Sequence, residues 1–235
     1  RRFTADASHE LKTPLTVLRA NVERSMGAPA GSSEQLVGLE ESLQEVTRMA
    51  DLVDSLLTLA RFDEGRFDLH RVPVDLEPLV RDVYETAVIL GEAGGLEIAM
   101  PPLEPVVVLG DRTRLRQLML NLVTNAIKYT PRGGRVELSL RRGEGTVAFV
   151  VRDSGIGIAA ADLPYIFDRF WRADRARSRR AVSEGAPLER GGFGLGLAIC
   201  QWITQAHGGT ISVVSRLTRG TTFTARLPLT LAIAD

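Results

Sequence analysis

The chain has 235 residues, 44% hydrophobic and 25% charged, and its 29 Lys and Arg are balanced by 29 Asp and Glu. This is a globular composition with length for one or two cored units, and a zero net charge gives no general pull towards nucleic acid or an anionic surface. The single cysteine, Cys200, excludes an internal disulfide and a multi-cysteine metal site; flanked by Leu197, Ala198 and Ile199, it reads as a packing residue.

No apolar run reaches the roughly 18 residues a spanning helix needs, and no signal peptide is visible. The chain starts at Arg1 rather than Met and reads as a fragment. Phe3, Ala7, Leu11, Leu15, Leu18, Val22 and Met26 recur every three or four positions, which predicts a helix over 2–26. Pro14 should bend it and free backbone groups one turn earlier, beside His9. The stretch 27–33 is a turn with Ser33 as the expected N-cap, and a second helix follows to about residue 63. Its Leu36, Leu39, Leu43, Val46, Ala50, Val53, Leu57 and Ala60 step by three and four, while Leu52, Leu56 and Leu59 widen the stripe. One partner helix cannot cover that surface. Two hairpins pairing into a four-helix bundle can, so a homodimer is expected.

Residues 65–73 read as a linker, with His70 solvated. A helix from Asp75 to about Leu90 and short strands near 96–100 and 106–109 follow. Asp111 is a candidate N-cap for a helix to Tyr129. Strands are predicted at 135–140 and 146–152, a helix from Leu195 to Ala206, and a closing hairpin of 210–215 and 221–227. Helices and strands without regular alternation predict an α+β chain: the hairpin bundle, then a two-layer α/β sandwich with helices on one face of a mixed sheet.

Four motifs carry chemistry. In Ser8-His9-Glu10-Leu11-Lys12-Thr13-Pro14, His9 and Thr13 share a helix face, and Glu10 stands ready to take a ring proton. Asn121, Asn125 and Lys128 form a stripe beside the buried face of their helix; amide oxygens suit Mg²⁺ and an ammonium suits phosphate. Asp153-Ser154-Gly155-Ile156-Gly157-Ile158 ends a strand with a carboxylate, which accepts hydrogen bonds and so favours the adenine amine over the guanine carbonyl. Gly191-Gly192-Phe193-Gly194-Leu195-Gly196-Leu197 runs into a helix whose N–H groups can receive phosphate.

In that order the motifs resemble the sensor histidine kinases of two-component signalling. The resemblance covers nearly the whole chain: residues 1–66 look like the dimerisation and histidine-phosphotransfer domain, and 74–235 like the catalytic ATP-binding domain of the Bergerat or GHKL type. It implies that His9 accepts the γ-phosphoryl group with Glu10 as base, that Thr13 positions water for phosphatase action, and that the phosphoryl passes to a response regulator receiver domain. It further implies ATP and Mg²⁺ as cofactors, with Asn125 as the metal ligand, Asn121 in support and Lys128 on the phosphates. Asp153 matches the adenine-binding aspartate, with Gly155 and Gly157 shaping the pocket. Arg172 closes an aromatic stretch, Tyr165 to Arg172, and matches an arginine that reaches the γ-phosphate. Gly192, Gly194 and Gly196 close over the phosphates. Tyr129, Ile158, Leu195, Leu197 and Thr221 complete the nucleotide contacts.

The implied setting is the cytoplasmic part of a bacterial inner-membrane sensor, joined to the membrane only through a missing N-terminal portion. Departures are an Arg-rich lid over 173–190, Phe193 where a small residue is usual, and Thr218 in place of a glycine. Two rivals predict different chemistry. A GHKL-type ATPase driving conformational change needs a water-activating carboxylate on the Asn121–Lys128 helix, and a silent nucleotide-binding scaffold needs a broken ATP site.

Overall fold

The computed structural model describes residues 2–63, 68–172 and 192–229, with the side chains of residues 2–6, 8 and 9 outside the described set. The chain divides into two units, residues 1–67 and 68–235.

The first unit is a helical hairpin, α1 (Arg2–Gly27) and α2 (Ser33–Asp63). α1 runs through Pro14 as one helix, and Thr16 Oγ1 donates to the Lys12 carbonyl at 2.9 Å. The cap of α2 is Ser32 rather than Ser33. Its hydroxyl accepts from the Gln35 N–H at 3.2 Å while Gln35 Oε1 accepts from the Gly31 N–H at 2.7 Å, a variant of the reciprocal capping box. The helices meet through small residues: Ser25, Gly38 and Ser42 are buried, and a methyl on Gly38 would lie 2.1 Å from Ser25 Oγ. Arg24 and Glu41 form an ion pair across the hairpin. The expected heptad residues stay outside, with Leu36 60%, Leu43 68% and Leu57 51% exposed.

The second unit is the expected two-layer sandwich. β1 (Val72–Asp75) pairs antiparallel with β3 (Val107–Gly110), so part of the expected linker is a strand. α3 (Leu76–Gly94) starts on an Asp75 cap and precedes β2 (Glu97–Ala99). α4 (Arg112–Tyr129) starts on Asp111, whose carboxylate accepts from the Arg114 N–H at 3.1 Å. β4 (Arg135–Gly143), β5 (Thr146–Asp153), β6 (Thr210–Arg216) and β7 (Gly220–Pro228) join β2 in a five-stranded mixed sheet of order β2-β4-β5-β7-β6. α5 (Gly196–Ala206) precedes β6. α3, α4 and α5 pack on one another and on one face of the sheet. The core between the layers holds Leu79, Leu115, Leu118 and Leu122 against Leu138, Phe149 and Val151, all 1% exposed or less.

Candidate functional site: a nucleotide pocket and a helical phospho-acceptor motif

The amphipathic pattern of α4 sets the site. Leu115, Leu118, Met119, Leu122, Val123 and Ala126 anchor it in the core, which leaves Asn121, Asn125 and Lys128 half-buried along one flank. The loop entering α5 passes over this stripe. Asn121 Nδ2 donates to the Gly196 carbonyl at 3.4 Å, and a methyl on Gly196 would lie 4.0 Å from Asn125 Nδ2. At Gly192 such a methyl would be 4.0 Å from Lys128 Nζ. Lys128 Nζ also sits 5.1 Å from the centre of the Tyr129 ring. Leu195 stands before α5 without a side-chain cap, so the first N–H groups of that helix are open to an anion. The Leu195 side chain itself is 2% exposed and belongs to the core, which leaves its backbone as the part able to meet a ligand.

Asp153 lies at the end of β5, 7% exposed. Its Oδ1 accepts from the Gly155 N–H at 2.8 Å and the Thr221 N–H at 3.1 Å. Burial pushes the carboxyl up from the ordinary aspartate value, and those two hydrogen bonds pull it back. The carboxylate is thus fixed at one oxygen, and Oδ2 has no hydrogen bond among the described residues. The following turn is held on both sides: Ile156 N–H donates to the Tyr129 carbonyl at 3.1 Å and Ile158 N–H to Ser215 Oγ at 2.8 Å. Gly157, at φ +70, faces the Arg216 carbonyl so closely that a methyl would lie 2.1 Å from it. Thr221 Oγ1 shares a 2.8 Å hydrogen bond with Ser215 Oγ.

The aromatic stretch divides. Ile166 is buried and Phe167 meets Phe223 edge-on, with centroids 6.4 Å apart, so both anchor the segment in the core. Phe170, at φ 62, donates its N–H to the Gly194 carbonyl at 3.0 Å and ties this segment to the glycine loop. Arg172 is exposed. Desolvation pushes the Tyr129 phenol up, and the Arg172 charge opposes it. The lid over 173–190 lies outside the described residues.

Asp153, Gly155, Gly157, Ile158 and Thr221 therefore form one group and Asn121, Asn125, Lys128, Gly192 and Gly196 a second, with Gly194 tied to Phe170; Tyr129, next to Lys128 and accepting from the Ile156 N–H, links the two. In the helical unit Glu10 and Thr13 stand on α1, half-buried and exposed, on the turn that carries His9. Cys200 is fully buried against the Leu118 carbonyl at 3.7 Å, and burial pushes its thiol up, as suits packing. His70 is exposed, its N–H donating to Asp111 Oδ2 at 3.3 Å.

One residue escaped the sequence reading. His207, 5% exposed, accepts the Asp111 N–H at Nε2 (3.0 Å) and places Nδ1 2.7 Å from the Ile203 carbonyl. It joins the end of α5 to the start of α4. The following glycine pair drew the reading to a helix stop and hid the ring.

Among the described residues no group of three or more His, Cys, Asp or Glu gathers, and no helix is long and apolar enough to cross a membrane. The amide pair on α4 fits a hard cation of the Mg²⁺ kind, which takes few protein ligands and keeps waters and phosphate oxygens.

Residues 110–231 match the family model described as histidine kinase-, DNA gyrase B-, and HSP90-like ATPase, and residues 1–65 match the His Kinase A (phospho-acceptor) domain. Sensor-like histidine kinase SenX3 of Mycobacterium tuberculosis is 36% identical over 97% of this chain and 53% of its own length. Probable sensor histidine kinase TcrY of the same organism is 40% identical over 97% of this chain and 46% of its own. The chain spans about half the length of the curated relatives it matches. Among solved structures, full-length ShkA in complex with AMPPNP aligns over 99% of this chain and 46% of its own, at 29% identity and a TM-score of 0.70.

Proposed function

The chain belongs to the sensor histidine kinases of two-component signalling, and from that premise we propose that it is an ATP-dependent autokinase that phosphorylates His9 and hands the phosphoryl group to an aspartate of a response regulator receiver domain. One observation carries the reading. A buried carboxylate held at one oxygen and a polar α4 stripe beneath a glycine loop lie in the same unit, linked through Tyr129 at the end of α4, whose carbonyl accepts from the Ile156 N–H of the aspartate turn.

Asp153 Oδ2 accepts the adenine amine, and the turn at Gly155 and Gly157 lets the ring approach the backbone. Lys128, Arg172 and the open N–H groups before α5 hold the phosphates. Mg²⁺ held by the Asn125 amide oxygen, with Asn121 beside it, supplies further charge neutralisation when bound. The neutral His9 imidazole attacks the γ-phosphorus, the bond to the bridging oxygen breaks, and ADP leaves. Glu10 takes the ring proton. The protein does little covalent work, so positioning and charge neutralisation dominate the rate. In a separate phosphatase step, Thr13 positions water for attack on the phosphorus of the partner's phosphoaspartate; the acyl-phosphate P–O bond breaks, releasing inorganic phosphate and the free carboxylate. The exposed heptad leucines of α2 support a homodimer in which two hairpins complete one bundle.

A conformation-driving ATPase fits less well, since α4 carries no Asp or Glu to activate water. The test is labelling with γ-³²P ATP and Mg²⁺. The native chain acquires an acid-labile phosphoryl group, and His9→Ala acquires none while binding nucleotide as before. Label that resists acid, or that survives in the variant, overturns the assignment.

A further inference from the structure

We propose that the uncovered face of the five-stranded sheet is a docking surface for an acidic amphipathic helix of a partner protein. The helices cover one face of this sheet; the other is a trough of about 820 Å³. Strand pairing orders its floor into rows. Ser139, Val150, Thr224 and Ser212 stand opposite one another across β4, β5, β7 and β6. One step to one side the row is Arg141, Ala148, Arg226 and Thr210; one step to the other it is Glu137, Arg152, Thr222 and Val214. Small side chains, three hydroxyls and Val150, thus line the middle, with Arg141 and Arg226 on one margin and Arg152, opposite Glu137, on the other.

The dimensions select a helix. Alternate residues on a strand are about 6.8 Å apart, so the two flanking rows are about 13 Å from each other. An α-helix with its side chains is about 10–12 Å across. Four strands at about 4.8 Å spacing give a length near 14 Å, about ten residues of helix. Val150 and Ser139 form the bottom at 5% exposure, and Val214, 76% exposed, offers apolar surface at one margin.

The charge selects an acidic occupant. Arg141, Arg142, Arg152, Arg216, Arg219 and Arg226 line the trough, in a chain whose net charge is zero. Arg226 reaches Ser212 Oγ at 3.3 Å; the other five have no carboxylate within ion-pair distance among the described residues. Of the acids at the border, Glu137 pairs with Arg135 at 3.4 Å, and Asp153 Oδ1 accepts from the Gly155 and Thr221 N–H groups. A partner helix with Ala, Val or Leu on one stripe and Asp or Glu along both flanks satisfies floor and margins together. A phosphate polymer or an anionic bilayer surface would meet the arginines and leave Ala148, Val150 and Val214 without an apolar partner.

The experiment uses the full chain and a fluorescein-labelled helical peptide of about twelve residues, with an Ala/Leu stripe and glutamate flanks. A peptide of the same composition, scrambled to destroy the stripe, is the control, and anisotropy is the readout. The striped peptide should bind, with affinity at least about tenfold above the scrambled one and lowered at least about tenfold by Arg152→Glu with Arg226→Glu. ATP affinity should be unchanged in that variant; if it fails to fold, Arg141→Gln with Arg219→Gln should weaken the peptide in the same direction. Equal binding of the two peptides, no binding by the native chain, or indifference to the arginine changes overturns the proposal. So does stronger arginine-dependent binding of duplex DNA or phosphatidylglycerol vesicles, which would mark a polyanion surface.

Discussion

The two units treat their apolar side chains in opposite ways. In the α/β unit the large ones are inside: Phe149, Leu79, Leu115, Leu118 and Ile203 are at most 1% exposed. In the hairpin the buried line includes Ser25, Gly38, Ser42 and Thr58 beside Leu52 and Leu59, while Leu15, Leu36, Leu39, Leu43 and Leu57 are more than half exposed. A monomeric surface rarely shows so regular an apolar row. One unit is complete as a single chain, and the other is half of a structure. That difference suits a stable nucleotide holder and a phospho-acceptor helix whose bundle forms by association.

The sharpest break of the comparison is Leu43→Asp with Leu57→Asp. In a paired bundle each side chain is buried twice by symmetry, so at about 1.5–3 kcal/mol per burial the loss is about 6 kcal/mol or more. Sedimentation should show monomer at concentrations where the native chain is dimeric, with nucleotide binding retained. Unchanged mass would make the exposed row an ordinary surface.

Gly220→Ala attacks the other unit. Gly220 has φ +91, and a methyl there would lie 1.9 Å from the Asp153 carbonyl, which is backbone and cannot step aside. Strain and overpacking together should cost at least about 2 kcal/mol, seen as a lowered denaturation midpoint for the α/β unit alone. A variant of native stability would show that this hairpin end does not press on β5.

Asp153→Asn separates function from stability within the α/β unit. Burial raises the folded carboxyl above its unfolded value, so its contribution to stability is full below the ordinary pKa and lost as pH rises through the folded value. At neutral pH the charge therefore opposes folding. The amide should raise the thermal midpoint there, and nucleotide affinity should fall about 10–150-fold with the lost charged acceptor. A lower midpoint would mean that the bonds to Gly155 and Thr221 outweigh burial.

Local chemistry was legible and long-range contact was not. Asp111 read as a cap because a carboxylate before an apolar helical pattern has a mechanism at that spot, while Asp75, read as the first residue of its helix, is the cap of a helix that starts at Leu76. Ser33 was mistaken for Ser32 since two adjacent serines offer the same hydroxyl, and backbone geometry chooses between them. Val72 and Pro73, the first half of β1, read as linker because the apolar stretch is short and holds a proline; β3 makes it a strand. The glycine loop and the α4 stripe were each visible, as was the aspartate turn. Their convergence depends on Asn121 meeting Gly196 and Asp153 meeting Thr221, contacts that no spacing rule contains.

The smallest expected effect tests a joint of the complete unit. The His207 ring spends both nitrogens, since Nε2 must be unprotonated to accept the Asp111 N–H and Nδ1 must carry the proton to donate to the Ile203 carbonyl. Protonating Nε2 would set a donor against a donor at the start of α4. Burial lowers the imidazole from 6.5, the Ile203 hydrogen bond opposes that, and of the charges facing the ring Arg71 lowers it and Asp111 raises it. A folded value below the unfolded one gives stability that is present above about pH 6.5 and lost as pH falls through the folded value. The α/β unit should therefore melt earlier on acidification from about pH 7.5 to about 5.5. One hydrogen bond of about 1 kcal/mol corresponds to about 2–4 °C in a unit of this size. His207→Gln, which cannot titrate, should melt lower at neutral pH and show a shallower slope over that window. If both proteins fall in parallel, the acid sensitivity lies elsewhere and the joint between α5 and α4 does not depend on the neutral ring.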